Sequence, residues 1–317
     1  MCNIAVIGLG NIGKRHLQSI QNSTRAWNVY GIDANQDTLQ EAVRTYKGEH
    51  NLKVGKGVEI LPEHVHVVVI ATSSAVRREV FEQLVEHSDI DFIIFEKVLF
   101  QRVADYYYVQ ECLKKYNIQS WVNCARREQT VYQELRKEIM KNKMFEMHIS
   151  GGEWGLACNG IHMLDLIEWY AGAASRIDTV SLSDEIVDSK RNGYKEVYGS
   201  LAGTCGKCSS WSISCQQNSN FPLTIEVIGD YMSCRIIPEQ KIIKMAYADK
   251  QWEEEEREFI SCYQSQQTEG IVERILDKGI CNLPSFEESM RTHLRIIEPL
   301  IEFFEKHGME EGRCPIT

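Results

Sequence analysis

The stretch Gly8-Leu9-Gly10-Asn11-Ile12-Gly13 constrains this chain more than any other feature. A G-x-G-x-x-G spacing alone says little. Here a β-branched run over residues 3–7 precedes it and a helical pattern over residues 14–22 follows, the context that gives the spacing meaning. In such a strand–loop–helix the first glycine permits the tight turn. The second leaves the backbone bare where a pyrophosphate approaches, and the third lets the helix lie close to the sheet. Free N–H groups and the partial positive charge of the helix start favour phosphate. A second strand, residues 29–33, ends on Asp33, where an acid accepts from both ribose hydroxyls and repels a 2′-phosphate. Gly8, Gly10, Asn11, Ile12, Gly13 and Asp33 are therefore candidate cofactor contacts, with NAD(H) favoured over NADP(H).

Strand patterns over residues 3–7, 29–33, 65–71, 92–96 and 120–123 alternate with helical patterns over 14–22, 36–46, 77–87 and 103–116. Alternation of this kind predicts an α/β unit, a doubly wound parallel sheet with helices on both faces. Beyond residue 123 the pattern changes. Helices are expected over 130–142 and 161–170 and a strand over 145–151. Strand-like segments then dominate, over 177–182, 197–204, 209–216, 223–229, 232–237 and 241–245, with turn signals at Gly206-Lys207 and Gly229-Asp230. This predicts a largely antiparallel open sheet. Pro284 opens a final helix over 285–307, and the acids of 253–256 read as a solvated helix face. The expected organisation is an NAD-binding Rossmann domain over 1–122 and a substrate-binding, oligomerising α+β domain over 123–317, with the C-terminal helix free to pack back on the first.

A formal net charge of -10 argues against nucleic acid or an anionic membrane as partner. Apolar runs such as 65–71 fall far short of the ~20 residues of a spanning helix. The first residues lack the basic start and cleavage site of a signal peptide, so the expected location is the cytoplasm. Eleven cysteines cannot all pair within one chain. The apolar settings of Cys124, Cys215 and Cys234 read as buried thiols of a reducing compartment. Cys205 and Cys208, without a second ligand pair, read as a hairpin turn rather than a zinc site. His64 and His66 alternate along a strand and are read as facing opposite sides of a sheet; no metal is expected.

Six stretches, in order along nearly the whole chain, resemble the glucose-fructose oxidoreductase / inositol dehydrogenase (Gfo/Idh/MocA) family. They are the glycine loop continued as Lys14-Arg15-His16, Ala71-Thr72-Ser73-Ser74, Glu96-Lys97-Val98, the strand from Asn123 to Arg126 and Arg127, Gly160-Ile161-His162-Met163-Leu164-Asp165-Leu166, and Pro284-Ser285-Phe286-Glu287-Glu288-Ser289. The resemblance implies a Rossmann domain followed by a domain whose open sheet serves as subunit interface, giving a homodimer or homotetramer. It implies hydride exchange between a nicotinamide and a carbinol carbon of a sugar, inositol, sugar acid or nucleotide sugar. It adds Ala71, Thr72, Ser73, Glu96 and Lys97 to the expected cofactor contacts. Two positions depart from the family: Cys158, followed by Asn159, stands where the family has an aspartate, and Val98 stands where it has proline.

Alcohol oxidation needs a base for the hydroxyl proton and a positive group beside the developing alkoxide. His162 suits the base, since an ordinary imidazole titrates near ~6.5. Lys97, just past a parallel strand, lies at the carboxyl edge where open α/β sheets bind ligands. Asp165, one helical turn from His162, is placed to orient the imidazole. Arg126 or Arg127 suits a substrate carboxylate or phosphate, the other pairing with a structural acid. Trp154 and Asn159 complete the expected substrate contacts. Cys158 in place of an acid motivates two alternatives: an aminosugar or keto-sugar substrate held differently, or a non-catalytic NAD(H)-binding sensor or scaffold of the same fold.

Overall fold

The computed structural model describes residues 1–317. The chain forms two compact units, the first comprising Met1–Glu128, Cys262–Met290 and Thr317. Its strands are β1 (Cys2–Ile7), β2 (Trp27–Ile32), β3 (Asn51–Gly55), β4 (His64–Ile70), β5 (Asp89–Phe95) and β6 (Gln119–Val122). They make one parallel sheet in the order β3-β2-β1-β4-β5-β6. Helices α1 (Asn11–Ile20), α2 (Gln36–Thr45), α3 (Arg77–His87) and α4 (Val103–Lys115) connect these strands. Val65, Val67, Val68, Val69 and Ile70 of β4 are wholly buried, as a central strand covered on both faces requires. The winding reverses between β1 and β4, which opens a crevice at their carboxyl ends.

Register decides what lines that crevice. Ile7 lies beside Ile32 and Ile70, and Phe95 beside Ile70 and Val122, so five strands end level. The next residues, Gly8, Asp33, Ala71, Glu96 and Asn123, therefore form one rim. Backbone bonds stitch it: Gly8 N–H donates to Ile32 O (2.7 Å), Ala71 to Ile7 O (2.7 Å), Glu96 to Ile70 O (3.0 Å) and Asn123 to Phe95 O (2.7 Å). Two elements of this unit were not expected. β3 is a five-residue edge strand whose Leu52 and Val54 pack on the core. Helix α7 (Thr268–Lys278) buries Ile271, Val272 and Ile275 in the cluster that holds Ile20 and Val67. It is anchored by Glu269 N–H to Ser19 Oγ (2.9 Å), Ser23 Oγ to Glu273 (2.9 Å) and the fork of Arg25 on Asp277 (2.7 and 2.6 Å).

The second unit comprises Gln129–Ser261 and Arg291–Ile316. It holds α5 (Thr130–Ile139), β7 (Phe145–Gly152), α6 (Leu156–Ala171), β8 (Arg176–Asp188), β9 (Lys195–Cys205), β10 (Cys208–Gln216), β11 (Thr224–Gly229), β12 (Met232–Ile237), β13 (Ile242–Tyr247) and β14 (Glu255–Glu258); the final helix is α8 (Phe286–Lys306). The eight strands run in the order β14-β13-β12-β11-β7-β10-β9-β8, all pairs antiparallel except β7 with β10. Side chains alternate: Met147, Ile149, Trp211, Ile213, Val227 and Cys234 are buried, while Glu146, Ser212, Ser214 and Arg235 line the other face. Helix α6 packs on β9 and β10. Its Glu168 is buried and accepts from Ser175 N–H (2.9 Å) and Thr292 Oγ (2.5 Å), with Arg295 at 3.3 Å.

The expected α/β architecture, with its mostly antiparallel second sheet, is the observed one. The acids at 253–256 are a correction: Glu255 and Glu256 lie in edge strand β14, not on a helix. Alternation favours the strand, because Glu254 and Glu256 reach Lys244 of β13, at 2.9 and 3.8 Å, while Glu255 turns to Lys250 and Arg257. Cys205 and Cys208 face each other across the Gly206-Lys207 turn, Gly206 at φ 52°. No helix is long and apolar enough to cross a membrane.

Candidate active site

The glycine loop meets three different steric demands. Gly8 has φ +88°, and a Cβ there would lie 2.6 Å from Thr72 N. A Cβ on Gly13 would lie 1.8 Å from Gly8 O. A Cβ on Gly10 meets nothing within 4 Å, so Gly10 is bare toward open space. Helix α1 begins without a capping side chain and without an acid in its first turn, at Asn11 and Ile12. Its first N–H groups thus remain available to an anion. Asp33 stands beside the loop: Oδ2 accepts from Leu9 N–H (2.7 Å) and Oδ1 from Asn35 N–H (2.9 Å). Each oxygen keeps lone-pair capacity for a further donor.

Further along the rim, Ala71, Thr72 and Ser73 follow β4. Arg77, at the start of α3, is 1% exposed and was not singled out from sequence. Its guanidinium donates to the carbonyls of Thr72, Val98 and Leu99, joining the loop after β4 to the loop of Lys97. The Lys97–Val98 peptide bond is cis. Glu96 is buried, and its Oε1 accepts from His16 Nε2 (3.0 Å) and from Asn123 Nδ2. Burial would raise the Glu96 carboxyl, but the His16 hydrogen bond and charge, with Asn123 and Lys97, hold it below the ordinary glutamate range. Glu96, expected as a cofactor contact, thus spends this oxygen within the protein. Thr72 Oγ1 and Asn123 Oδ1 are buried oxygens with no hydrogen-bond partner. Polar groups so placed call for a ligand donor. Bare Gly10, the uncapped α1 and these two oxygens fit a dinucleotide lying along the rim.

Of the two arginines, Arg127 is 4% exposed and pairs with Glu288 at 2.8 Å, the structural role expected for one of them. Arg126 is half-buried and carries no carboxylate partner.

In the second unit, His162 and Asp165 lie one turn apart on α6, His162 half-buried and Asp165 1% exposed. Trp154 and Asn159 serve the start of that helix. Asn159 Nδ2 donates to Trp154 O (2.8 Å), and Trp154 Nε1 donates to Ser214 O (2.8 Å). Gly155, at φ +84°, caps α6 without a side chain. Buried Glu196 of β9 supplies the missing anion, accepting from the N–H groups of Ala157 and Cys158. Glu196 thus brings a carboxylate to the backbone at the start of α6 from 38 residues away.

His64 and His66 require a correction. Residues two apart on a strand share a face, and their rings lie 4.6 Å apart. Asp91 of β5 joins them, 3.0 Å from His64 Nε2. His66 Nδ1 accepts from Asn3 N–H at 3.1 Å, which leaves the neutral ring's proton on Nε2. This cluster sits at the amino edge of the sheet, opposite the rim.

Residues 2–124 match the family described as an oxidoreductase family with an NAD-binding Rossmann fold, Gfo/Idh/MocA. No curated protein matches the chain. Solved structures of similar fold include UDP-N-acetylglucosamine 3-dehydrogenase from Acidithiobacillus ferrooxidans (13% identity, 94% of this chain and 96% of that one, TM-score 0.72). The scyllo-inositol dehydrogenase of Lactobacillus casei with NAD(H) and scyllo-inositol is another (15%, 97% and 98%, TM-score 0.68). So is the transcriptional regulator Gal80p from Kluyveromyces lactis (15%, 96% and 90%, TM-score 0.73). At such identities these likenesses speak for the fold alone. Residues 2–124, with the glycine loop and the level rim beyond it, thus match the NAD-binding Rossmann fold of the Gfo/Idh/MocA oxidoreductase family.

Proposed function

We propose that the protein is an NAD(H)-dependent oxidoreductase acting on a carbinol carbon of a sugar, sugar acid or nucleotide sugar. The observation that carries this is the rim: bare Gly10 and the unpartnered Thr72 Oγ1 and Asn123 Oδ1 share it with Lys97. Gly8, Gly10, Asn11, Ile12 and Gly13 would hold the pyrophosphate, Asp33 the adenosine ribose, and Ala71, Thr72 and Ser73 the approach to the nicotinamide. The nicotinamide supplies hydride transfer when bound. Lys97 holds the substrate oxygen and favours its alkoxide form. His162 takes the hydroxyl proton, and Asp165 orients the imidazole. Arg126, without an acid of its own, is the group for a substrate carboxylate or phosphate. We infer further that the open face of the eight-stranded sheet joins copies into a dimer or tetramer, since Ser210, Ser212 and Ser214 present small neutral side chains there.

The test is titration with NADH and NADPH, with Asp33→Ala alongside, then a screen of sugars and sugar acids. NADH should bind more tightly, and Asp33→Ala should lose that preference. Failure of both nucleotides to bind overturns the reading. Cys158 favours a second reading, a non-catalytic NAD(H)-binding sensor or scaffold, for which Gal80p offers a fold precedent. Lys97→Ala separates the two. An enzyme loses turnover and keeps nucleotide binding, whereas a sensor has no turnover to lose.

A further inference from the structure

Five side chains from four separate segments of the first unit close a ring of hydrogen bonds behind Lys97. His16 Nε2 meets Glu96 Oε1 at 3.0 Å and His16 Nδ1 meets Thr268 Oγ1 at 2.8 Å. Gln264 Nε2 donates to Thr268 Oγ1 at 2.9 Å. Asn123 Nδ2 donates to Gln264 Oε1 at 2.9 Å and also to Glu96. The donors order themselves. An ionised Glu96 accepts only, so His16 Nε2 donates to it, while His16 Nδ1 shares a hydrogen bond with the Thr268 hydroxyl. That hydroxyl oxygen then accepts from Gln264, and the two Asn123 N–H groups divide between Gln264 and Glu96. Every ring bond has one donor and one acceptor, and His16, Glu96, Asn123 and Thr268 are all nine-tenths or more buried.

Such a ring has rigid consequences, because breaking one bond leaves buried groups unmatched. We propose that His16 is a positioning residue for Lys97: through Glu96 it locks the lysine's loop to the cofactor helix α1 and, through Thr268 and Gln264, to the segment that begins α7. The proposal rests on the catalytic role assigned to Lys97 above. The charged groups acting on Glu96 are His16 from α1 and Lys97 beside it. Asn123, Gln264 and Thr268 are neutral, and Arg77 of α3 spends its guanidinium on the carbonyls of Thr72, Val98 and Leu99.

The test compares His16→Ala, His16→Gln and Glu96→Gln in the full chain. His16→Ala should lower kcat about 10- to 100-fold while the NADH Kd stays within about threefold. His16→Gln places an amide N–H near the former Nε2 and should recover most of the loss. Arg25→Ala, which loosens the surface anchor of α7 without touching the ring, should leave kcat unchanged. Glu96→Gln keeps an acceptor oxygen but removes the charge beside Lys97. Its Lys97 should therefore titrate at lower pH, read by NMR of the 13C-methylated lysines with Lys97→Arg for assignment. That readout does not depend on turnover. Should no substrate turn over, the functional reading fails and the lysine titration alone decides the proposal. An unchanged Lys97 midpoint in Glu96→Gln overturns the proposal. So does an undiminished kcat in His16→Ala, or equal impairment of His16→Ala and His16→Gln.

Discussion

Alanine at Gly10 and at Gly13 should damage different properties, because the two glycines are bare for different reasons. Gly10 has φ -63° and ψ -165°, a conformation open to any residue. An added Cβ there meets nothing within 4 Å. Alanine is a poorer helix cap than glycine by under ~1 kcal/mol, and it recovers about 0.4–1 kcal/mol by restricting the unfolded chain. Gly10→Ala should therefore stay within about 1 kcal/mol of the parent. Its methyl, however, stands where a pyrophosphate must reach the backbone. Loss of two charge-assisted bonds of ~1.5–3 kcal/mol each weakens NADH by at least about 100-fold. At Gly13 the methyl would lie 1.8 Å from Gly8 O, a backbone atom that cannot rotate away. Overpacking of this kind costs up to about 3 kcal/mol, which at ~2–4 °C per kcal/mol lowers the melting temperature by roughly 6–12 °C. Calorimetry and NADH fluorescence titration on both variants check this. Parental NADH affinity in Gly10→Ala, or a parental melting temperature in Gly13→Ala, would refute the reasoning.

Arg77→Met should leave the carbonyls of Thr72, Val98 and Leu99 without their buried donor and destabilise the protein by about 3 kcal/mol or more, measured by urea titration. Glu96 supplies a pH prediction. Its carboxyl is held below the ordinary value of 4.5, so its charge stabilises the fold above that pH and the contribution disappears as pH falls through the folded value. The pH dependence of stability in Glu96→Gln should diverge from the parent's on acidification below about 4.5, and identical profiles would contradict the assignment. Burial pushes the thiols of Cys205, Cys208 and Cys234 up to about 12. At pH 8 iodoacetamide should modify the exposed Cys262 first and spare these three until the protein unfolds, as mass spectrometry of timed digests would reveal.

Much of the architecture was legible because it rests on local rules. The glycine loop, the buried run of β4 and the alternation of β10 each declare themselves within a few residues. The elements that escaped are those with weak local signals. β3 is short, with only Leu52 and Val54 as apolar signal, and α7 follows a polar stretch that masks its four-residue apolar spacing. The error at His64 and His66 was one of geometry, since a period of two puts both rings on one side. The acids near residue 255 have a helix-like composition, and only the pairing with β13, where Lys244 is the partner cation, decides for a strand.

For the site, the sequence by itself determined which residue types could do the chemistry and that Gly8, Asp33, Ala71 and Glu96 would lie at the ends of parallel strands. It could not determine what those residues spend their hydrogen bonds on. His16 and Thr268 are 252 positions apart, and Glu196 reaches the amide of Cys158 across 38. Arg77 has no motif to mark it. Helix and strand periods are set by the backbone within a turn or two, so they are written locally. The partner of a buried charge is set by which distant segments the fold brings within about 3 Å, and that was decided only by the tertiary structure.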